Sequence, residues 1–444
     1  MPEPTRLLII GGGFTGLTAA YRLSRQANLD ITVVESAAEL GGLAAGFPIL
    51  GTTLEKAYHY LFTTDSAIIE LVRELGIEDR LFWADTSIAI RLGGKTYPFT
   101  SALDLLRFEP CSFLNRLRFG FVAMYLKHRK SWRPLSGHTA QQWMTRACGE
   151  QVMRTIWTPL LKGKFHRYWD TVSMAWLWAR IHTRANSRPP TGREQLGYFK
   201  GGFAEVSRKL EVEARAQGVR MHSGTRVESL DFEGPKKALL HNGEVLPFDL
   251  CLFTGPSGAL ARLLPARPEL AGYKSKLESI EYLGAVCLVF VSDQKIGDHY
   301  WLNIHEEGAP FLLFINHTLL VGTDLYQGKH VYYIGCYHPP ESPIFAIDDD
   351  LLTQQWFDYL RTIHPHFDPA RVSDRRMFKL QGAQHVVDTA YGEKIPDYRT
   401  PVKDLYLANY SQIFPEDRGS NFAVREGNKI AAIIAADLAA GGPG

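Results

Sequence analysis

The sequence predicts an α/β fold in which a parallel sheet at the N-terminus is combined with a second, mixed sheet and a helical insertion. Residues 7–10 (LLII) form a short, wholly apolar run, typical of a buried parallel strand, and lead into a glycine-rich turn. Residues 285–291 and 331–336 are longer apolar or alternating runs that indicate strands of a second sheet. Residues 100–195 are rich in Arg, Trp and Leu, with few turn signals, which indicates helices.

The composition is that of an ordinary globular enzyme. In 444 residues, 49 Lys and Arg balance 47 Asp and Glu, and 45% of residues are hydrophobic, which excludes a disordered chain. The near-neutral charge and the lack of a recognised binding module argue against nucleic acid as a partner. Five scattered cysteines without C-x-x-C spacing exclude a zinc knuckle and a disulfide scaffold, and suit a reducing compartment.

We also expect neither a signal peptide nor a membrane span. The N-terminus has no basic segment ahead of an apolar stretch, and its first apolar run breaks at glycine after four residues. No apolar run approaches the roughly 18–20 residues that cross a bilayer. We therefore predict a cytoplasmic protein, with one route to the inner face of the membrane considered below.

The turn at residues 11–16 (GGGFTG) lies between the first strand and a helical segment, the context that a dinucleotide-binding turn requires. Gly11 permits the tight turn, Gly13 lets a pyrophosphate approach the backbone, and Gly16 lets the helix pack against the strand. A second apolar strand, residues 31–34, ends at Glu35, 19 residues after Gly16. An acidic residue at this place accepts hydrogen bonds from ribose hydroxyls and repels a 2′-phosphate.

Further motifs specify the dinucleotide. Gly41 and Gly42 follow Glu35, and similar glycine-rich or apolar segments recur at residues 197–203 (GYFKGGF), 249–256 (DLCLFTGP), 404–409 (DLYLAN) and 421–428 (NFAVREGN). Together they resemble the FAD-binding segments of the amine oxidase superfamily, which includes protoporphyrinogen oxidases, phytoene desaturases and UDP-galactopyranose mutases. In that family an Arg usually follows the glycine pair, where this sequence has Leu43.

The resemblance implies a Rossmann-like FAD-binding domain of the glutathione-reductase type. It implies non-covalent FAD, because no cysteine lies between residues 337 and 444 to form a thioether. Near Val227 a backbone group would meet the adenine, Asn409 stands where an Asp often holds a ribityl hydroxyl, and the last helix would point its N-terminus at the flavin. The implied FAD-binding residues are Gly11, Gly13, Phe14, Thr15, Gly16, Glu35, Ser36, Gly41, Gly42, Leu43, Val227, Asn409, Asn421, Phe422 and Ala423.

The resemblance also implies how the chain is divided. In this family the FAD domain is assembled from separate segments, here residues 1–90, 195–270 and 385–444. Residues 91–194 would form a helical insertion, and residues 271–384 the sheet of a substrate domain. Within that sheet unit, the acidic run 348–350 is interpreted as the N-cap and first turn of a helix that extends to about Ile363.

The helical insertion contains a strongly basic segment. Residues 105–133 carry seven basic residues and a single acidic one, Glu109, a net charge of +6, while residues 119–126 are uncharged and mostly apolar. One interpretation is an interfacial helix that lies on anionic lipid and passes an apolar substrate to the site. A second is a pocket for a diphosphate group. The third is a core-facing helix with a solvated basic rim.

Two function classes follow from the resemblance. The first is an FAD-dependent oxidoreductase, in which hydride leaves a C–H or C–N centre of an apolar or amphipathic substrate for flavin N5. The second is a mutase-like, non-redox flavoenzyme that acts on a diphosphate-linked sugar. Catalytic candidates are His59, Tyr58 and Arg418, and no metal site is expected. Four aromatic residues are candidates to line the substrate pocket: Tyr58, Tyr60, Trp157 and Trp169.

Overall fold

The structure is a computed structural model that describes residues 3–26, 28–188 and 194–441. The described residues form nineteen strands: β1 (Thr5–Ile10), β2 (Leu29–Val34), β3 (Gly46–Ile49), β4 (Thr52–Glu55), β5 (Leu81–Asp85), β6 (Ile88–Leu92), β7 (Lys95–Pro98), β8 (Gln195–Phe199), β9 (Arg220–His222), β10 (Val227–Asp231), β11 (Lys237–Leu240), β12 (Val245–Pro247), β13 (Leu250–Phe253), β14 (Tyr282–Ser292), β15 (Trp301–Ile304), β16 (Leu313–Asn316), β17 (His330–His338), β18 (Val372–His385) and β19 (Leu405–Leu407).

The same residues form fifteen α-helices: α1 (Phe14–Leu23), α2 (Ser66–Glu74), α3 (Ala102–Arg107), α4 (Phe113–His128), α5 (Ala140–Cys148), α6 (Glu150–Val152), α7 (Thr158–Phe165), α8 (Met174–Asn186), α9 (Ala204–Ala216), α10 (Ser257–Leu263), α11 (Ala271–Glu278), α12 (Thr318–Val321), α13 (Asp349–Ile363), α14 (Tyr391–Lys394) and α15 (Ser420–Ala439). A π-helical turn, Met153–Trp157, joins α6 to α7.

A five-stranded parallel sheet carries the glycine-rich turn. Its order is β19-β13-β1-β2-β9, so strands that are distant in the chain flank the N-terminal strand on both sides. Residues 7–10 of β1 are buried, because helices cover both faces of a parallel sheet and leave its strands no solvent face. The parallel N-terminal sheet predicted from the sequence is confirmed.

A seven-stranded sheet forms the second layer, in the order β18-β14-β17-β16-β15-β6-β7. It is antiparallel except where β6 pairs in parallel with β15, with Ile88 opposite Trp301. The predicted boundary near residue 90 therefore falls inside the hairpin β6–β7, whose partner strand lies more than 200 residues away in the chain. Helix α13 packs on this sheet, and the Asp348 side chain caps it by accepting hydrogen bonds from the backbone N–H groups of Asp350 and Leu351, as predicted.

Helices α3 to α8 lie between residues 102 and 186, within the segment for which the sequence predicts helices. Their core contains several aromatic side chains, and Phe165 packs edge-on against Trp176 at 4.7 Å between ring centroids. The same core cluster includes residues of the seven-stranded sheet, such as Ile90 and Ala285. The insertion is therefore packed directly over one face of that sheet, and the space between them contains the site described next.

Candidate active site

In the glycine-rich turn, the fold itself requires glycine at positions 11 and 16 but not at position 13. Gly11 has a φ of +111°, and a Cβ there would lie 2.3 Å from Thr254 Oγ1. A Cβ on Gly16 would lie 2.0 Å from the carbonyl oxygen of Gly11. Gly13, in contrast, has an ordinary φ of −74°, and the nearest atom to a Cβ there is Gly42 Cα at 3.7 Å. The space in front of Gly13 is therefore left open by the protein, as a closely approaching ligand requires.

Two helix N-termini meet at this turn. Helix α1 begins after Gly13 and α15 begins after Gly419, and among the described residues no side chain caps either helix. Thr15 Oγ1 donates a hydrogen bond of 3.1 Å to the carbonyl oxygen of Ala423, which holds the two first turns together. Uncapped N-termini present free N–H groups and partial positive charge. This pair therefore fits a ligand with a pyrophosphate and an electron-accepting ring.

Glu35 lies at the far end of the same turn. Its Oε2 accepts a 2.7 Å hydrogen bond from the backbone N–H of Gly12, and its Oε1 accepts from the N–H of Ala37 and from the exposed Ser36 hydroxyl. A carboxylate retains further lone pairs for a ligand hydroxyl. The N–H of Thr225 donates to the carbonyl oxygen of Glu35 at 2.8 Å, which brings the start of β10, at Val227, beside it. The predicted ribose and adenine residues are therefore neighbours.

The second glycine pair packs directly on the first turn. The N–H of Gly41 donates to the carbonyl oxygen of Gly12 at 2.8 Å, and Gly42, with a φ of +61°, would bring a Cβ to 3.0 Å from Gly13 Cα. Leu43, which follows the pair, lines the large cavity described below. Its aliphatic side chain supplies an apolar wall at the place where members of the family that the sequence resembles usually have an Arg.

Two of the predicted FAD residues use their side chains within the protein. The buried Asn409 amide donates to the carbonyl oxygen of Gly255 at 2.7 Å and to Ser257 Oγ at 3.1 Å, while its oxygen accepts from the N–H of Ser411. Asn421 Oδ1 accepts a 3.2 Å hydrogen bond from the N–H of Ile68 at the start of α2. Both residues thus anchor loops at the site, and a direct contact of either one with FAD stays a prediction.

A cavity of about 450 Å³ lies between the helical insertion, the seven-stranded sheet and the N-terminus of α15. Its walls are mostly aliphatic and aromatic, and its floor includes residues 419–422. Three of the four predicted aromatic lining residues, Tyr58, Tyr60 and Trp157, face this cavity, but Trp169 is outside its lining and contacts Lys162 instead. The size and apolar character suit an organic substrate rather than a small ion.

One end of the cavity is rich in cations, four of which share two carboxylates. Asp417 lies 3.0 Å from Lys164 Nζ and 3.3 Å from Arg180 Nη1, and these cations hold the pKa of the buried Asp417 carboxyl far below its usual range. Arg184 pairs with the fully buried Glu194, with 3.0 Å between Nε and Oε2, and Arg188 reaches the same carboxylate at 3.4 Å. The ion pairs thus fix the cationic wall in place.

Arg418 is different, because the described part of the chain supplies no carboxylate within ion-pair distance of it. Its Nη2 donates to the Tyr337 hydroxyl at 3.3 Å, and its buried Nε has no acceptor. The hydroxyl groups of Tyr337 and Tyr58 are 3.0 Å apart, so Arg418 and the two phenols form a continuous chain along the cavity. Arg418 is therefore a charged donor available to a ligand.

Two titratable groups of the cavity near Arg418, His59 and Cys287, are neutral. Burial lowers the pKa of His59 to about 4, and its Nδ1 lies 2.7 Å from the carbonyl oxygen of Ala57. Since a carbonyl only accepts, Nδ1 carries the proton and Nε2 is left as an acceptor. Burial also raises the pKa of Cys287 in the cavity wall to about 12, so this group stays a thiol rather than a nucleophilic thiolate.

The structure thus brings the three catalytic candidates, Tyr58, His59 and Arg418, to one cavity. Sequence reasoning did not identify several other polar residues there as site residues, among them Lys164, Arg180, Asp417 and Tyr337. The sequence does contain one signal for the arginines: Arg180, Arg184 and Arg188 recur every four residues, and the first two lie one turn apart on α8 while Arg188 follows its end. No local pattern links Asp417 to its two partners, which lie more than 230 residues earlier in the chain.

Comparisons with known proteins agree with this geometry. The sequence profile of the family described as flavin containing amine oxidoreductase matches residues 14–412. The chain is 23% identical over 302 residues to the coproporphyrinogen III oxidase of Bacillus subtilis (strain 168), a match that covers 61% of this chain and 63% of that enzyme's length. It is 23% identical over 437 residues to the 15-cis-phytoene desaturase of Glycine max, covering 91% of this chain and 75% of the relative.

A solved structure shows the same fold over nearly the whole chain. The structure of reduced UDP-galactopyranose mutase superposes with a TM-score of 0.75 at 14% identity, covering 97% of this chain and 98% of that one. At this identity the likeness concerns the fold alone.

Proposed function

The chain belongs to the family of flavin-containing amine oxidoreductases, and from that premise we propose that it oxidises an apolar or amphipathic organic substrate. FAD is the cofactor of this family, and the open space at Gly13 and the two uncapped helix N-termini fit its binding. The observation that carries the proposal is the cavity of about 450 Å³, which has mostly apolar walls, its floor at the N-terminus of α15 and, in Arg418, a cation that no carboxylate of the described residues pairs with.

The cofactor supplies the electron chemistry. When bound, FAD accepts the two electrons that leave a C–H or C–N bond of the substrate. The glycine turn, Glu35 and the backbone near Val227 would hold its dinucleotide part, and the first turn of α15 would lie at its ring. The tasks left to this chain's side chains are to bind the substrate, orient it and exclude water.

The cavity walls perform these tasks in different ways. Aromatic and aliphatic side chains such as Tyr60 and Trp157 hold the apolar body of the substrate and exclude water. Arg418 offers a charge-assisted hydrogen bond to an acidic group of an amphipathic substrate. His59 is neutral, and its unprotonated Nε2 offers a hydrogen-bond acceptor to a polar group of the substrate. These roles make Arg418 an orienting residue and His59 an acceptor.

A mutase-like reaction is the second candidate, because several cations line one end of the cavity. A diphosphate carries at least two negative charges and needs more than one free donor. Lys164 and Arg180 share the carboxylate of Asp417, and Arg184 and Arg188 share that of Glu194, so each cluster keeps one net positive charge and Arg418 adds a third. The net charge of these groups suits a diphosphate-linked sugar, whereas the mostly aliphatic and aromatic walls of the cavity favour an apolar substrate with an acidic group, which we take as the first candidate.

An anaerobic experiment separates the two candidates. Oxidised enzyme would be mixed without oxygen with coproporphyrinogen III or 15-cis-phytoene, the compounds named for two relatives, and with UDP-galactopyranose in parallel. For a redox enzyme, the organic substrate bleaches the flavin absorbance and an added acceptor restores it. If instead only dithionite-reduced enzyme turns over, and the nucleotide sugar is isomerised without net electron transfer, the oxidoreductase proposal is wrong.

A further inference from the structure

An exposed apolar stripe runs along the helical insertion. Eleven large hydrophobic side chains of the described residues are exposed, and seven of them lie between residues 103 and 125. At about 100° per residue, Leu114, Phe121 and Tyr125 fall on one face of α4. Leu114 is 77% exposed and Phe121 is 75% exposed. Such large apolar side chains in one contiguous patch mark a surface that another apolar phase covers.

Cations border this stripe on both sides. On the helical wheel of α4 the exposed Phe113 and Met124 widen the stripe on one side, so Arg118 lies at one edge of the apolar face, and Arg116 and Lys127 lie beyond the other. The seven basic residues of segment 105–133 form no ion pair with any carboxylate in the part of the chain that the structure describes. The segment therefore presents about six net positive charges around an apolar centre, whereas the whole chain carries only +2.

The opposite face of the same helix is a wall of the active-site cavity. Phe119 and Ala123 of α4 line that cavity, and Phe119 packs edge-on against Trp157 at 5.8 Å between ring centroids. Helix α4 is thus apolar on two faces, one turned inward to the cavity and one turned outward. A single helix separates the exposed stripe from the place where we propose that substrate binds.

We propose that helices α3 and α4 dock the protein on an anionic lipid surface, with Leu114 and Phe121 in the interface and the flanking cations on the headgroups. Within the described residues, no helix combines the length and apolar character needed to cross a bilayer. Apolar side chains flanked by unpaired cations are the composition that binds anionic interfaces. A second copy of the chain is disfavoured as the occupant, because two patches of about +6 would face and repel each other.

Vesicle sedimentation tests the proposal with the full-length holoenzyme. The vesicles are pure phosphatidylcholine, or phosphatidylcholine with phosphatidylglycerol as the anionic lipid. Two double variants remove one contribution each: Leu114→Ser with Phe121→Ser, and Lys127→Gln with Lys130→Gln. Matched controls change exposed residues elsewhere: Val212→Ser with Leu351→Ser, and Lys200→Gln with Lys403→Gln. Flavin content and thermal unfolding of every variant show whether it is folded.

We expect binding to the anionic vesicles, weakened by added salt, and little binding to the neutral ones. The serine pair should weaken binding at least about tenfold, because the leucine and phenylalanine side chains that it removes would move from water into the lipid interface. The glutamine pair should weaken it by roughly fivefold per lysine, and both control pairs should bind as the unchanged protein does. The proposal is overturned if the protein binds equally to both vesicle types, or if the folded serine pair binds as the unchanged protein does. It is also overturned if light scattering shows a dimer that the serine pair abolishes.

Discussion

Replacement of Gly13 by valine should abolish FAD binding without unfolding the protein. The backbone of Gly13 has a φ of −74° and extended ψ, which any residue adopts, and its Cβ would meet nothing closer than 3.7 Å. The cost to folding should be about 1 kcal/mol, the usual loss when a helix N-cap becomes β-branched. The valine side chain would instead occupy the path of the pyrophosphate, and we expect Kd for FAD to rise at least about 1000-fold, or roughly 4 kcal/mol.

Gly16→Val is the matched comparison within the same turn. Its Cβ would lie 2.0 Å from the carbonyl oxygen of Gly11, so the turn or the helix must move. We expect a loss of about 3 kcal/mol or more in the free energy of unfolding of the apoprotein, as severe overpacking causes. Gly137→Val, at an exposed glycine with no atom within 4 Å of its Cβ, should change neither stability nor FAD binding.

The assay measures FAD binding and folding separately. Flavin per protein is read from the visible absorbance of each purified variant, and urea unfolding is followed by circular dichroism on FAD-stripped samples. Stripping is needed because bound FAD itself adds stability by mass action. The reasoning is refuted if Gly13→Val retains stoichiometric FAD, or if its apoprotein is destabilised as strongly as that of Gly16→Val.

Three further results are expected. In steady-state kinetics, Arg418→Met should raise KM for an acidic substrate about 10- to 100-fold, because the variant loses a hydrogen bond to a charged group. KM for the neutral ester of the same substrate should stay unchanged. Burial raises the pKa of Glu55 to about 7, above its unfolded value of 4.5, so the holoenzyme should lose up to about 3 kcal/mol of unfolding free energy as pH rises from 4.5 to 7. Urea titrations at both pH values measure this loss, and Glu55→Gln should remove it. The same loss of stability with pH in the Glu55→Gln variant would contradict the assignment. Acid precipitation should release all flavin into the supernatant, since no cysteine follows residue 336, and colour left in the pellet would indicate a covalent bond.

The sequence alone determined the features that depend on contiguous residues. Strand β1, the turn from Gly11 to Gly16, helix α1 and strand β2 with Glu35 are encoded within about thirty residues. Each constraint there is local: an apolar run for a buried strand, a positive φ at Gly11, and an acid at the end of the next strand. The family resemblance rests on the same local segments, which is why fold class and cofactor were predictable.

Only the tertiary structure decided what surrounds the substrate. Asp417 meets Lys164 and Arg180, and Tyr337 meets Tyr58, across more than 230 residues of chain. No local pattern encodes such pairs, because they depend on how the helical insertion packs over the seven-stranded sheet.

Helix α4 shows the same division between local pattern and tertiary packing. Its basic ends and apolar middle were readable from the sequence, and three interpretations of them stayed open. Which apolar residues are buried was not readable, because both faces of the helix are apolar. Packing of the insertion turns Phe119 into the cavity and leaves Phe121 in solvent. A hydrophobic pattern identifies apolar faces, but only the neighbouring elements determine which of them the fold covers.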